Sequence, residues 1–357
     1  MKALKFFSTI MLSLFMAVFA GSAIGFGLNI DPGVPIGILA GVSLIPMNMA
    51  GVLPMAVQKE IWVNHIIGNL FKNNEFLNFA FNADQYVLAG KVVHIPQAAA
   101  APATAKNRTS LPATVVKRTD TDVTYALDEY TTDPVLIPNA DNYELSYDKR
   151  ESVLAESEAS LRETVAEWML RNWAPTVSGS KLRTTGADVA AHAPDATGER
   201  KKILSNDFKI IQKTFDKWNI PGEDRFALLD ADMYDQLLDS FSETTYRDFS
   251  KIVDPTKGIV GELYGFKVMK RSSVMVYDAA LAPKDPDDAG AATDFAASLF
   301  WQKNALERAL GMNEFFERMK DPTYYGDIYS FLLRMGGRIR RSDSKGVVAL
   351  LEDAPAT

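Results

Sequence analysis

Between Phe6 and Gln58 the chain carries a single charged residue, Asp31. That charge divides the stretch into Phe6–Ile30 and Pro32–Gln58, each long enough to cross a bilayer of roughly 30 Å. Three readings are open. Met1-Lys2-Ala3-Leu4-Lys5, an apolar run and Val18-Phe19-Ala20-Gly21 have the layout of a secretory signal cleaved after Ala20. Two apolar stretches also suit a membrane hairpin, with transient membrane contact through residues 6–57. The third reading is a segment buried or removed during assembly. Ala40-Gly41-Val42 with Pro46-Met47 is echoed by Ala50-Gly51-Val52 with Pro54-Met55, but one ten-residue echo is no solenoid.

The rest of the chain is acidic and has globular periodicity. The whole carries −7, and residues 1–58 contribute +1 from Lys2, Lys5 and Asp31, which leaves −8 on residues 59–357. Such a balance argues against whole-chain nucleic-acid binding, which needs a basic stripe. Cysteine is absent and only His65, His94 and His192 are present. Disulfides, thiolate nucleophiles and thiolate metal sites are excluded, and a His-rich centre has too few ligands. No phosphate-binding Gly-x-x-x-x-Gly-Lys loop, dinucleotide Gly-x-Gly-x-x-Gly, His-Glu-x-x-His or Gly-x-Ser-x-Gly occurs. Nothing nominates a nucleophile, a cofactor or an enzyme.

After Lys59, Trp62, Phe71, Phe76, Phe79 and Phe81 read as packing anchors of a short arm. Tyr86–Pro96, Val115–Arg118 and Val123–Leu127 read as strands. The small, polar run Ala98–Arg108 between them reads as the tip of a long extended hairpin, exposing Lys106, Asn107 and Arg108. Isolated hairpins are marginal in water, so this one predicts partner contact. Asn107-Arg108-Thr109 matches a glycosylation sequon, a three-residue pattern common by chance.

Over Lys149–Trp173 the residues Leu154, Leu161, Val165, Trp168 and Met169 share one helical face, and Glu151, Glu156, Glu158, Glu163 and Glu167 are assigned to the solvated one. Thr176–Gly198 reads as a loop. Ser205 is placed as the cap of a helix buried through Phe208, Ile211, Phe215 and Trp218, stopped by Pro221-Gly222. Phe226–Leu229 reads as a buried strand and Met233, Leu237 and Leu238 as the stripe of the next helix. Asp230, Asp232, Asp235 and Asp239 suggest a metal, but at a strand-to-helix turn carboxylates cap free N–H groups, which is the preferred reading. Asp285-Pro286-Asp287-Asp288 reads as an exposed turn, because Ala296 stands where a calcium loop needs its twelfth-position Glu.

Phe226–Asp230 followed by Gly258-Ile259-Val260-Gly261-Glu262-Leu263-Tyr264-Gly265-Phe266-Lys267-Val268-Met269 resembles the axial domain of tailed-phage major capsid proteins of the Hong Kong 97 fold. Ser298–Ala305 is similar to that family's strand-to-helix segment, and Tyr325-Gly326-Asp327 through Gly337-Arg338-Ile339-Arg340-Arg341 to its closing hairpin. The resemblance implies an α+β fold and a structural, non-enzymatic protein without cofactors. Its expected parts are a hydrophobic segment (1–58), an N-terminal arm (59–85), an extended hairpin loop (86–140) and a peripheral domain with the spine helix (141–198). An axial domain (199–322) and returning peripheral strands (323–357) complete it. It further implies self-assembly as hexamers and pentamers into an icosahedral virion head in the host cytoplasm. Double-stranded DNA, scaffold, protease and portal are the implied partners. An encapsulin-like shell and a secreted or membrane-anchored surface protein are the alternatives. Lys106, Asn107, Arg108, Leu161, Trp168, Arg338, Arg340 and Arg341 are the interface candidates. The cluster Arg334, Arg338, Arg340, Arg341 and Lys345, offset by Asp343, is a local +4 that suits ion pairing or, more sharply, DNA. The family's lysine–asparagine cross-link has no matching positions here.

Overall fold

The computed structural model describes residues 70, 74–88, 92–97, 104, 106–109, 115, 117, 121–138 and 149–354. The apolar segment 1–58, Trp62, Phe71, Val116, Arg118 and the side chains of Glu151 and Leu154 lie outside the described residues, and Val115 and Lys117, which are described, are exposed and belong to no strand. Among the described residues no helix is long and apolar enough to cross a membrane.

In chain order the first strands are β1 (Phe81–Asn82), β2 (Val87–Leu88), β3 (Val92–Gln97), β4 (Thr121–Ala126), β5 (Asp128–Thr131) and β6 (Val135–Pro138). Helix α1 (Lys149–Trp173) follows, with β7 (Lys181–Arg183), β8 (Asp188–Ala190) and β9 (Glu199–Lys201) after it. Next come α2 (Ser205–Lys217), β10 (Arg225–Asp230), α3 (Ala231–Asp239) and α4 (Glu243–Phe249). The chain then runs through β11 (Ile259–Leu263), β12 (Phe266–Arg271), β13 (Met275–Tyr277) and β14 (Phe295–Gln302). It ends with β15 (Leu306–Asp321), β16 (Gly326–Ile339) and β17 (Val347–Leu351).

Two main sheets share one core. The larger has the order β11-β12-β10-β14-β17-β7, with β13 beside β14. Strand β10 is buried at every residue because both of its faces are covered. Ala227 and Leu229 point into a cluster with Phe208, Ile211 and Phe215 of α2 and Met233 and Leu237 of α3. Phe226 and Leu228 point the other way, into a cluster that includes Trp301 and α1. Strands β14 and β17 alternate alike, Phe300, Val348 and Leu350 on one side and Leu299, Trp301 and Ala349 on the other. Period-2 alternation therefore appears in the sequence as an unbroken apolar run.

The second sheet has the order β1-β15-β16-β5, with β6 also paired to β16. Its inward side chains Phe315, Tyr329, Phe331, Leu333 and Met335 meet Leu161, Val165, Met169 and Trp173 of α1. The 25-residue α1 spans roughly 37 Å along this sheet. Strands β3 and β4 form an antiparallel ribbon, with β2 at the edge of β3, rooted by a small core of Ala83, Val93, Leu127 and Ala309.

Several sequence expectations need correction. Glu158 is buried: at 100° per residue it lies within one heptad of Val165, on the apolar face and not on the solvated one. Thr176–Gly198 is not wholly loop, because β7 pairs in parallel with β17, a partner far away in sequence. Ser205 is the first residue of α2 and Leu204 the N-cap; the buried Asp207 carboxylate accepts the Leu204 N–H at 2.8 Å. Ser298–Ala305 leads into no α-helix. A single 3-10 turn at Lys303–Ala305, capped by Gln302, passes directly into the 16-residue β15. Strand β15, sequentially in the 199–322 segment, thus pairs along β16, and β17 returns to the larger sheet. The Gly258–Ser272 run is a hairpin, turned by Tyr264 and Gly265 at φ 48° and 78°, the pair of positive φ values a two-residue turn needs.

Gly337 lies where α1 approaches the second sheet closely. A Cβ there would lie 2.5 Å from Met169 Cε, 2.6 Å from the Glu307 carbonyl oxygen and 2.8 Å from Trp173 Nε1. We expect Gly337→Ala to lower stability by roughly 1–3 kcal/mol through overpacking. Thermal and urea melts check this, and a wild-type midpoint would contradict it.

Candidate functional site

Among the described residues the polar side chains gather at two joints and along one groove. The root of the extended hairpin is one joint. Tyr125 on β4 donates its hydroxyl to Glu307 Oε1 at 3.3 Å, and Arg340 Nε lies 3.2 Å from Glu307 Oε2. Arg340 also covers the Phe81 ring at 4.1 Å. The Glu307 carbonyl accepts the Trp173 indole N–H at 3.0 Å, so one residue links hairpin, arm, spine helix and sheet. Asp84 adds a further link by accepting the Leu310 N–H at 2.7 Å. Burial raises the Glu307 carboxyl above its ordinary value against the opposing pull of Arg340 and Tyr125. Burial, with the Glu307 charge adding to it, pushes the Tyr125 hydroxyl far upward.

A groove of about 760 Å³ runs between α1 and the β5–β6 segment. Its walls carry Glu129, Asp133 and Glu156 with the hydroxyls of Thr131, Ser160 and Thr164. It is an acidic, hydrogen-bonding trough along the spine helix.

The interface candidates separate. Lys106, Asn107 and Arg108 are exposed, with Lys106 and Asn107 in a turn and Asn107 at φ 51°. Trp168 is half-buried and packs against the main core. Leu161 is only 5% exposed and belongs to that core, and it also lines the floor of the groove beside α1. The arginine cluster is answered within the chain. Arg334 makes a two-nitrogen contact with Glu129 at 2.9 and 2.7 Å, and Arg341 a bidentate pair with Asp343 at 2.9 and 2.7 Å. Arg340 meets Glu307, Lys345 lies 3.5 Å from Asp343, and Arg338 donates to the Ile339 carbonyl. Among the described residues of this cluster, Arg338 alone meets a backbone carbonyl where the others meet a carboxylate.

A second joint was invisible in sequence. His192, between β8 and β9, places Nδ1 2.7 Å from Glu352 Oε1 and Nε2 3.3 Å from Asp230 Oδ1. Asp230 caps α3 as expected, accepting the N–H groups of Asp232 and Met233 at 2.9 and 3.0 Å. Glu352 accepts the Ala296 N–H at 3.1 Å. Burial opposes protonation of His192, yet the two carboxylates outweigh it and push its pKa up to about 10. Histidine and glutamate stand 160 positions apart, so no local spacing could have paired them. Asp285 serves its turn by accepting from Arg171 at 2.7 Å.

No protein-family model matches the chain, and no curated protein matches it. Solved structures do. The chain is similar to the capsid of Cyanophage P-SCSP1u, with TM-score 0.55 and 16% identity over 78% of this chain and 87% of that one. It is similar to the capsid of Ralstonia phage GP4, with TM-score 0.54 and 13% identity over 78% and 88%. A chain from Mycobacterium phage Adephagia gives TM-score 0.53 and 10% identity over 79% and 90%. The architecture is therefore α+β, and its fold is the Hong Kong 97-like fold of tailed-phage major capsid proteins.

Because the Glu307 carboxyl is raised in the fold, its favourable contribution is present below the ordinary value of 4.5 and is lost as pH climbs through the raised one. Glu307→Gln removes that titration. The variant is expected to gain stability relative to wild type as pH rises from about 4 to about 8. A melting-temperature difference that stays flat across the range would show the assignment to be wrong.

Proposed function

We propose that this chain is a major capsid protein that self-assembles, as hexamers and pentamers, into the icosahedral head of a tailed phage or prophage. The observation that carries the reading is the fold itself. The similarity spans close to four-fifths of this chain and nearly nine-tenths of capsid chains. That extent supports a whole subunit and not a shared motif. The virion is then its location, the host cytoplasm the site of assembly, and double-stranded DNA the content; scaffold, protease and portal are the accompanying partners. The role is structural, and no catalytic step is assigned.

The molecule supplies two surfaces suited to that role. Among the described residues the ribbon β3–β4 is rooted by a small core, and a two-stranded ribbon is marginal in water unless it lies on another surface. The exposed tip residues Lys106 and Arg108 are cationic, and the spine-helix groove is acidic. A hairpin laid along a neighbour's groove pairs these charges, and many modest interfaces sum around a closed shell. Since Arg334, Arg340 and Arg341 are paired internally, contact with packaged DNA is not assigned to them.

Electron microscopy of the purified full-length chain is expected to show closed icosahedral shells; a monodisperse monomer in light scattering would overturn the proposal. Deleting residues 98–107 should weaken assembly while leaving the melting temperature of the subunit unchanged, because the tip contributes little core. An equal loss of subunit stability would count against a purely intersubunit role.

A further inference from the structure

The His192 joint is an unusual place for so much negative charge. Asp230, Asp232 and Glu352 converge on one imidazole, and the ligand atoms of His192, Asp230 and Asp232 lie within 4.8 Å of one another. The His192 side chain is 10% exposed and that of Asp230 8%, whereas Asp232 is open to solvent. Both ring nitrogens are buried, Nδ1 facing Glu352 and Nε2 facing Asp230. The imidazole thus sits at ion-pair distance from two carboxylates with a third close by, a set of one nitrogen and several oxygen donors gathered at one point.

We propose that His192, Asp230 and Asp232 form a binding site for one divalent transition-metal ion of the zinc class. The 3.3 Å between His192 Nε2 and Asp230 Oδ1 is about the edge of a tetrahedron with bonds of roughly 2.0–2.1 Å. One nitrogen and two carboxylate oxygens are donors that zinc accepts, with water completing the shell on the exposed Asp232 side. A mixed nitrogen and oxygen set favours such an ion over magnesium, which prefers oxygen and retains its waters. Glu352 supplies the outer partner: its carboxylate faces the other ring nitrogen, the arrangement that orients metal-bound imidazoles and raises their basicity. On binding, the ion replaces the Nε2 proton, which passes to solvent.

The placement gives the ion a structural consequence. His192 belongs to the β8–β9 segment, Asp230 ends β10 and begins α3, and Glu352 follows β17. An ion held there fastens the edge segment 188–201 to the centre of the larger sheet. Sequence inspection of the four aspartates alone could not find this, since Asp235 and Asp239 lie outside the cluster and the nitrogen ligand comes from 38 residues upstream of Asp230.

The test uses the full chain freed of metal, titrated with Zn²⁺ and separately with Mg²⁺, and read by calorimetry and thermal melting. One Zn²⁺ per chain with a saturable rise in melting temperature is expected, and no such rise with Mg²⁺. Asp232 is exposed in the first turn of α3, so Asp232→Asn should lower the metal-free melting temperature only slightly, by the loss of one carboxylate at the helix start, while weakening Zn²⁺ binding by at least about tenfold. Tetrahedral Co²⁺ absorption provides an independent readout that should vanish in the same variant. Absence of stoichiometric Zn²⁺ binding, or wild-type binding by Asp232→Asn, would overturn the site. Neither outcome bears on shell formation, which is read by microscopy.

Discussion

The contact between the end of α1 and the second sheet is the constraint on which the other parts depend. Trp173 is fully buried, gives its indole N–H to the Glu307 carbonyl, and meets Phe76 edge-on at 6.0 Å and Trp301 at 6.4 Å. These partners come from the arm, the larger sheet and the root of the second sheet. Such proximity requires that β16 present no side chain at Gly337. A bulky aromatic and an absent Cβ are therefore one feature seen from two sides, and together they join the two sheets through a common core.

Charge is handled by the same economy of position. In an acidic chain, buried carboxylates are acceptable only where donors meet them. Glu307 meets Tyr125 and Arg340 at the hairpin root, and Asp207 meets the Leu204 N–H and the Thr185 hydroxyl at the start of α2. Arg183 and Arg200 both stack over Phe295, at 4.4 and 4.9 Å, and Arg183 also donates to the Glu352 carbonyl. The His192 cluster adjoins this group through Glu352, so paired charges gather beside the apolar strand β17. The exposed charges of Lys106 and Arg108 stand apart from these internal pairs, whereas the groove beside α1 shares its Glu129 with Arg334.

What was legible in the sequence follows periodicity. The limits Lys149–Trp173 of α1 coincide with the predicted span, since eleven offsets out from Leu154 the apolar stripe still holds register. Strand β10 and helix α3 appear where Phe226–Leu229 and Met233, Leu237 and Leu238 place them, and Asp230 caps as its position at the turn demands. Glu158 was misplaced because residue type outweighed angle: a glutamate was read as solvated although its helical position points inward. The three residues of β7 carry no pattern of their own, and only pairing with β17 makes them a strand.

By itself the sequence determined the local elements and their order, because turn chemistry, capping and apolar period act over a few residues and need no knowledge of the remainder. It also determined the absence of thiol chemistry and the acidic balance of the body. Tertiary structure alone decided which charges are free. Arg334, Arg340 and Arg341 read as one basic patch along the chain, yet each finds a carboxylate supplied from Glu129, Glu307 or Asp343. It likewise decided that Leu161 faces inward, that β15 and not a helix follows β14, and that His192 meets Asp230 and Glu352. Arg341 and Asp343 are two positions apart and were legible as a pair, but the other partners stand from tens of positions to about two hundred apart in the chain, and such residues acquire proximity only when the sheets close around α1.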